Sequence, residues 1–289
     1  MKIEQKEKRT HGTVFFPFHV YTHHAADKYF VFYHWHEEVE LIYVEQGRME
    51  LILNGTSYLL QEGEFMFIHP GSLHQLQAKE TSLHHAIVFH PKLLNFQDYD
   101  IVQDAILTPL QKGEYHYPVQ ILNQTIHEQI AKLCQEIIYT SLQDTAGNFK
   151  VKIHLLNLIQ ILYEQHLLEQ HLISHHETLT LENIKYVISY MEKHLADKIT
   201  LDDLAQLLHM NPNYFCRYFK KQTGLSPMAY LLQMRIEYSV KFLSITEDKI
   251  LDIALSCGFD NFSYFIRKFK FYKGMTPMQY RKYLHEYSR

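Results

Sequence analysis

The C-terminal third of the chain repeats itself, and no other feature restricts the fold as strongly. In residues 250–281, ILDIALSCGFDNFSYFIRKFKFYKGMTPMQYR, a helix-sized run carrying Ala254 stops at Cys257-Gly258-Phe259. A second run, 261–272, sets Phe265 and Phe269 on one face at a spacing of four. Two short helices joined at a glycine make a helix-turn-helix, whose second helix can enter a DNA major groove. Ala254 suits the close approach of two steeply crossing helices, and Gly258 suits a left-handed backbone in the turn. Residues 201–235, LDDLAQLLHMNPNYFCRYFKKQTGLSPMAYLLQMR, repeat the plan. Ala205 answers Ala254, Phe215 answers Phe265, Arg217 answers Arg267, Phe219-Lys220 answers Phe269-Lys270, and Gly224 answers Gly274. The offset is 49 before the turn and 50 from Phe215 onward, so the second copy has one extra turn residue. Two copies at a fixed period predict a tandem reader rather than a solenoid.

A DNA reader needs positive charge, yet the chain carries a formal net charge of −4. From Leu179 to Arg289, 16 Lys+Arg oppose 11 Asp+Glu, which leaves 12 against 21 in the remainder. The basic charge thus lies with the duplicated tail, and the acidic part has another task. The residues expected to reach base edges are Asn213, Tyr214, Cys216 and Arg217 in the first unit, and Asn261, Ser263, Ile266 and Arg267 in the second. Lys220, Lys221, Lys270 and Lys273 are expected to meet phosphates. The bland alternatives are a solvated face for each lysine, and for Arg217 and Arg267 an ion pair with a carboxylate such as Glu237. Asn211-Pro212 reads as the N-cap and first turn of a helix.

On these residues the tail resembles a known family. Ala254, Gly258-Phe259, Phe265, Arg267, Phe269-Lys270, Gly274, Thr276-Pro277 and Tyr280-Arg281 make residues 181–289 similar to the DNA-binding domain of AraC/XylS-type transcriptional regulators. The resemblance implies two helix-turn-helix units joined by a long helix, here 227–243, that read successive major grooves of double-stranded DNA. It further implies a homodimer that contacts RNA polymerase as an activator.

The first part of the chain reads differently. Residues 1–18 form an arm, and β-rich segments follow at 29–33, 39–45, 49–53, 56–60, 65–68 and 84–89. Asn54-Gly55 is a hairpin signal because both residues tolerate positive φ. Many short strands with tight turns predict a β-sandwich or barrel. Within it lie His34, His36 and Glu40, which share strand parity, then Gly47; farther on come Gly63, Gly71 and His74. The pattern H-x-H-x3-E-x6-G, then G-x7-G-x2-H, is similar to the two cupin motifs, which supply three His and one Glu to a metal. His69 and Ala78 depart from the second motif without removing a ligand. Such a set suits Zn, Mn, Fe or Ni. Three readings stay open: a polar effector pocket without metal, a metal-containing pocket, and structural histidines.

Helical periodicity covers 123–142 and 148–170, a pair that either covers the barrel or forms a dimer interface. The expected architecture is therefore α+β and multidomain. An arm and cupin-like effector-sensing barrel occupy 1–120, a helical dimerisation pair 121–170, a linker 171–180, and a tandem helix-turn-helix domain 181–289. Three scattered cysteines, Cys134, Cys216 and Cys257, exclude a disulfide framework and a cysteine zinc site. Cys216 reads as a small residue on an exposed helix face. No apolar run reaches the ~20 residues of a membrane span, and the N-terminus lacks a signal peptide's apolar segment, so a cytoplasmic location without membrane is expected. No Walker loop or dinucleotide glycine fingerprint is present. The expected function is an effector-responsive regulator, not an enzyme, of a carbohydrate or small-metabolite operon. Several His and Glu in one pocket can hydrogen-bond a sugar. A metal-dependent cupin enzyme, a metal-sensing regulator and a purely architectural DNA binder are the alternatives.

Overall fold

A computed structural model of the protein describes residues 11–25, 29–98, 100–170 and 175–287. The chain divides into two compact units, with the boundary at His175/His176.

The first unit is built on two four-stranded antiparallel sheets. One has the order β1 (Phe18–Ala25), β8 (Ser82–Phe89), β3 (Val39–Gln46), β6 (Phe65–Ile68). The other runs β2 (Phe30–His34), β7 (His74–Ala78), β4 (Met49–Leu53), β5 (Thr56–Leu60). Asn54 and Gly55 join β4 to β5 at φ 47° and 83°, the two positive values that a tight hairpin requires. Strands β1 and β7 were not expected from the sequence, because the histidines in both interrupt the apolar alternation.

Strand β3 explains why one sheet is buried on both faces. Val39, Leu41 and Tyr43 join one apolar cluster, while Ile42 and Val44 join another with Leu51, Leu53 and Leu76 of the second sheet. The period of two sends alternate residues to opposite sides. The first cluster is completed by helices α2 (Gln124–Ile138) and α3 (Thr145–Glu164), through Ile130, Leu133, Ile137, Leu155, Leu158 and Leu162. The helix pair therefore covers the outer face of the β1-β8-β3-β6 sheet. Asn123 caps α2 by accepting the Ile126 N–H, and Asp144 caps α3 by accepting the Gly147 N–H at 2.8 Å. That cap starts α3 at Thr145, ahead of the 148 expected from the periodicity. Short elements, α1 (Thr108–Lys112) and the paired β9 (Tyr115–His116) and β10 (Glu169–Gln170), complete the unit.

The second unit is helical: α4 (His175–Lys193), α5 (Leu201–Gln206), α6 (Pro212–Thr223), α7 (Pro227–Ile245), α8 (Ile250–Ser256), α9 (Phe262–Lys273) and α10 (Pro277–Tyr287). Helix α4 starts at His175 rather than at residue 181, so the expected linker is helical from there, and residues 171–174 lie outside the described residues. The repeat is realised atom by atom. Phe215, Phe219, Phe265 and Phe269 are fully buried, and loss of such a ring costs about 3–5 kcal/mol. Gly224 and Gly274 end α6 and α9 at φ 73° and 75°. In the turns, Met210 N–H bonds Ala205 O and Phe259 N–H bonds Ala254 O, both at 3.0 Å. These equivalent bonds carry the 49 offset through Phe259, while the N-caps Asn211 and Asn261 already show 50, so the extra residue is Asp260. Among the described residues no helix is long and apolar enough to cross a membrane.

Candidate effector pocket and nucleic-acid interface

Four side chains converge inside the first unit. His34 ends β2, His36 lies in the connection to β3, Glu40 is on β3 and His74 opens β7. The shared strand parity expected for the first three is not what unites them; the β2–β3 corner and the antiparallel partner strand are. His34 and His74 are direct cross-strand partners. Glu40 and His74 are buried, at 4% and 0% exposure.

Backbone carbonyls orient all three rings. His34 Nδ1 donates to Phe32 O at 2.9 Å, His36 Nδ1 to Glu38 O at 3.1 Å, and His74 Nδ1 to Ser72 O at 3.0 Å. A carbonyl only accepts, so each Nδ1 carries the proton and a neutral ring presents its Nε2 lone pair inward. His36 Nε2 and His74 Nε2 lie 3.0 and 3.1 Å from the same Glu40 oxygen. Lone pairs and a carboxylate at that distance require a cation among them, either added protons or a metal ion. Burial would raise the Glu40 carboxyl, but the contacts from His36 and His74 outweigh it and hold the group well below the usual carboxylate range. Burial, reinforced by His74, pushes His34 down to about 3, so this ring is neutral and its Nε2 is a ready ligand. One ligand atom from each of the four residues falls within 4.8 Å of the others. Ring nitrogens tied to carbonyls and a single carboxylate are the usual arrangement around a first-row divalent ion, so the residues fit one.

The cluster forms one wall of a cavity of about 180 Å³. His34, His36 and Glu40 line it, while His74 stands behind them. Tyr21, His23, Tyr29 and His84 form a polar wall, and Val31, Ile42, Leu76, Ala86 and Val88 an apolar one. Burial, with His23 adding to it, pushes His84 down to about 4. His11 from the arm closes part of the cavity: it is buried, its Nδ1 lies 3.1 Å from the Tyr21 hydroxyl, and its ring packs edge-on at 5.6 Å from His36. The sequence carries no signal for His11, His23, Tyr29 or His84, because His23 and His84 meet as cross-strand partners and the arm and the start of β2 bring in the other two.

In the second unit, α6 exposes Asn213, Tyr214, Arg217, Lys220 and Lys221, with Cys216 half-buried. Helix α9 exposes Ser263, Tyr264, Arg267 and Lys270, with Ile266 half-buried. Asn261 is exposed but serves as N-cap, accepting the Tyr264 N–H at 2.8 Å, as Asn211 does in α6. Tyr264 was missed, although the offset of 50 from Tyr214 marks it; the Arg267 guanidinium lies 5.6 Å over its ring. Lys273 is a correction. Its ammonium donates to both Glu237 oxygens at 2.7 and 2.8 Å and is half-buried, so it is not a phosphate contact. Glu237 is thereby taken, and no ion pair among the described residues involves Arg217 or Arg267. Two other arginines are structural: Arg235 donates to Leu195 O and Asp197 O, and Arg281 to Asp248 O.

Known proteins match both units. A family model described as an AraC-like ligand binding domain matches residues 16–159, and one described as a helix-turn-helix domain matches residues 204–283. The "Uncharacterized HTH-type transcriptional regulator YdeC" of Bacillus subtilis is 26% identical over 292 residues, covering 96% of each chain. The "HTH-type transcriptional activator RhaS" of Escherichia coli is 25% identical over 237 residues, covering 80% of each. Among solved structures, an apo ToxT variant from Vibrio cholerae aligns with 94% of this chain and 98% of its own at a TM-score of 0.45 and 16% identity. The sequence relatives named here regulate transcription and are not enzymes. With a ligand-binding unit followed by a duplicated DNA reader, the chain belongs to the AraC family of DNA-binding transcriptional regulators.

Proposed function

We propose that the protein is a ligand-responsive activator in which a small metabolite, held in the first unit's cavity beside a divalent metal, changes promoter occupancy by the second unit. The carrying observation is the convergence of three oriented imidazoles and one buried carboxylate, with His34, His36 and Glu40 on the cavity wall and His74 behind them. His34, His36, Glu40 and His74 would hold the ion. When bound, it would supply a Lewis-acidic anchor for ligand oxygens. His11 would report occupancy to the arm, because it shares the cavity with the ligand. The ligand acts only through its difference in affinity between two arrangements of the protein, and a tenfold coupling corresponds to about 1.4 kcal/mol.

On DNA, Arg217 and Arg267 would read bases with Asn213, Tyr214, Ser263 and Tyr264, while Lys220, Lys221 and Lys270 meet phosphates. Cys216 and Ile266, at equivalent half-buried positions, would line the edges of the contact. A homodimer would form through α3, whose Phe149, Ile153 and Tyr163 are exposed at helical spacing on the side away from the core. The cytoplasm is the matching location, and RNA polymerase the matching partner of an activator, a role taken from the printed name of the RhaS relative.

The test uses the purified full chain and the DNA upstream of its own gene. Metal content is measured first, then binding by fluorescence anisotropy with and without a chelator. About one ion per chain, absent from His74→Ala, is the expected result, with unchanged folding of the second unit. Specific DNA binding with no bound ion in the wild type would leave the regulator reading standing and remove the metal from it. Equal affinity for the upstream sequence and for random duplex would remove the regulator reading itself.

A further inference from the structure

The cavity restricts its own ligand in charge, size and denticity. Among the described residues, Glu40 is the only carboxylate that lines it, and neither lysine nor arginine does. A divalent ion held by one carboxylate and three neutral imidazoles would carry one surplus positive charge within its ligand set, with the Glu38 carboxylate outside it, 3.7 Å from His36 Nδ1. A buried surplus charge is costly unless it is paired, so the fitting ligand is a monoanion. His34, His36 and Glu40 face the cavity while His74 is buried behind, so an ion held by the four would be reached by a ligand from the cavity side, and a ligand with two adjacent oxygens could grip it there.

Size follows from volume. A cavity of about 150 Å³ accommodates benzene, so the ~180 Å³ found here, open to solvent on one side, suits a compact ligand. Tyr29, His23 and His84 offer O–H and N–H donors to a carboxylate oxygen, and Val31, Ala86 and Val88 offer contact to a short carbon stem.

We infer that the ligand is a short hydroxy acid or oxo acid that chelates the metal through its carboxylate and the adjacent oxygen. This rests on the metal reading given above. It replaces the sugar expected from the sequence with a smaller, charged molecule.

The experiment loads the full-length protein with cobalt(II) and follows its visible absorption, which reports the ion's coordination. Lactate and pyruvate are titrated as chelating anions. Propionate serves as an anion of similar size without the second oxygen, and arabinose as an uncharged polyol. Lactate or pyruvate should shift the bands at concentrations at least about tenfold below those at which propionate or arabinose acts. Ala86→Leu fills the cavity without touching a ligand to the ion, and should keep cobalt while losing the response. A response to arabinose or propionate at equal or lower concentration overturns the assignment and leaves the metal standing. So does a spectrum that neither acid moves, or an Ala86→Leu protein that responds like the wild type. Failure of the wild type to take up more cobalt than His74→Ala overturns the metal reading, and this inference with it.

Discussion

Gly258→Ala tests whether the second helix-turn-helix is held by the contact geometry of its turn. Gly258 sits at φ +80°, and a Cβ there would stand 2.4 Å from Leu195 O and 2.8 Å from the Arg235 guanidinium carbon. Left-handed backbone alone costs an L-residue about 1–2 kcal/mol. The equivalent position of the first unit shows that this cost is tolerable, since His209 adopts φ 52° there. The clash is the larger effect. Leu195 O is backbone, and it already accepts the 3.0 Å bond from Arg235 Nε that ties α7 to the end of α4. Overpacking of this kind costs about 1–3 kcal/mol, so the total should be near 3 kcal/mol. For a unit of this size that lowers Tm by roughly 10–20 °C. The control is Gly63→Ala, at φ +82° with nothing within 4 Å of its added Cβ, which should cost only about 1 kcal/mol. Thermal unfolding of each full-length variant, followed by DNA binding well below its Tm, separates stability from recognition. If Gly258→Ala is no more destabilising than Gly63→Ala, the turn has slack enough to absorb a methyl group and the packing does not hold it.

Three further outcomes follow from named contacts. Arg217→Ala and Arg267→Ala should each weaken binding to the upstream DNA by about 1–3 kcal/mol and relax base choice; loss of neither affinity nor selectivity in the double variant would end the recognition reading. Lys270→Met should reduce the slope of log K against log salt by about 0.9, whereas Lys273→Met should leave the slope unchanged. Lys273→Met should instead destabilise the second unit by about 1–3 kcal/mol, because the half-buried Glu237 would lose its charged hydrogen-bond partner. A protein with Ile153→Asp should sediment as a monomer under conditions where the wild type is a dimer; persistence of the dimer would move the interface off the α3 face.

Legibility differed between the two units for a physical reason. In the tail, the requirements that define the repeat are local: a buried aromatic at a spacing of four, a left-handed cap at Gly224 and Gly274, a side-chain cap at Asn211 and Asn261. Such features can be read within a dozen residues. The expected helix at 250–256 coincides with α8, and the joining helix was placed within two residues of α7. Lys273 misled because its partner Glu237 lies 36 residues away on another helix. In the first unit, His36 and Glu40 were legible as a spaced motif, but β1 and β7 were not. Their side chains have meaning only opposite β8, β2 and β4.

The amino-acid order by itself determined the duplicated helix-turn-helix, the helices that carry Arg217 and Arg267, and the identity of the three histidines and one glutamate. Each of these follows from spacing along a single element or from residue types at fixed intervals. Only the tertiary structure decided that Asp260 is the inserted turn residue, that Lys273 is neutralised, and that all three ring Nδ1 atoms are committed to carbonyls so that Nε2 lone pairs meet at Glu40. It also decided which of the described side chains line the cavity, with Glu40 the one carboxylate among them. Those properties arise where strands distant in sequence pair, and pairing depends on contacts that the sequence of either strand does not contain.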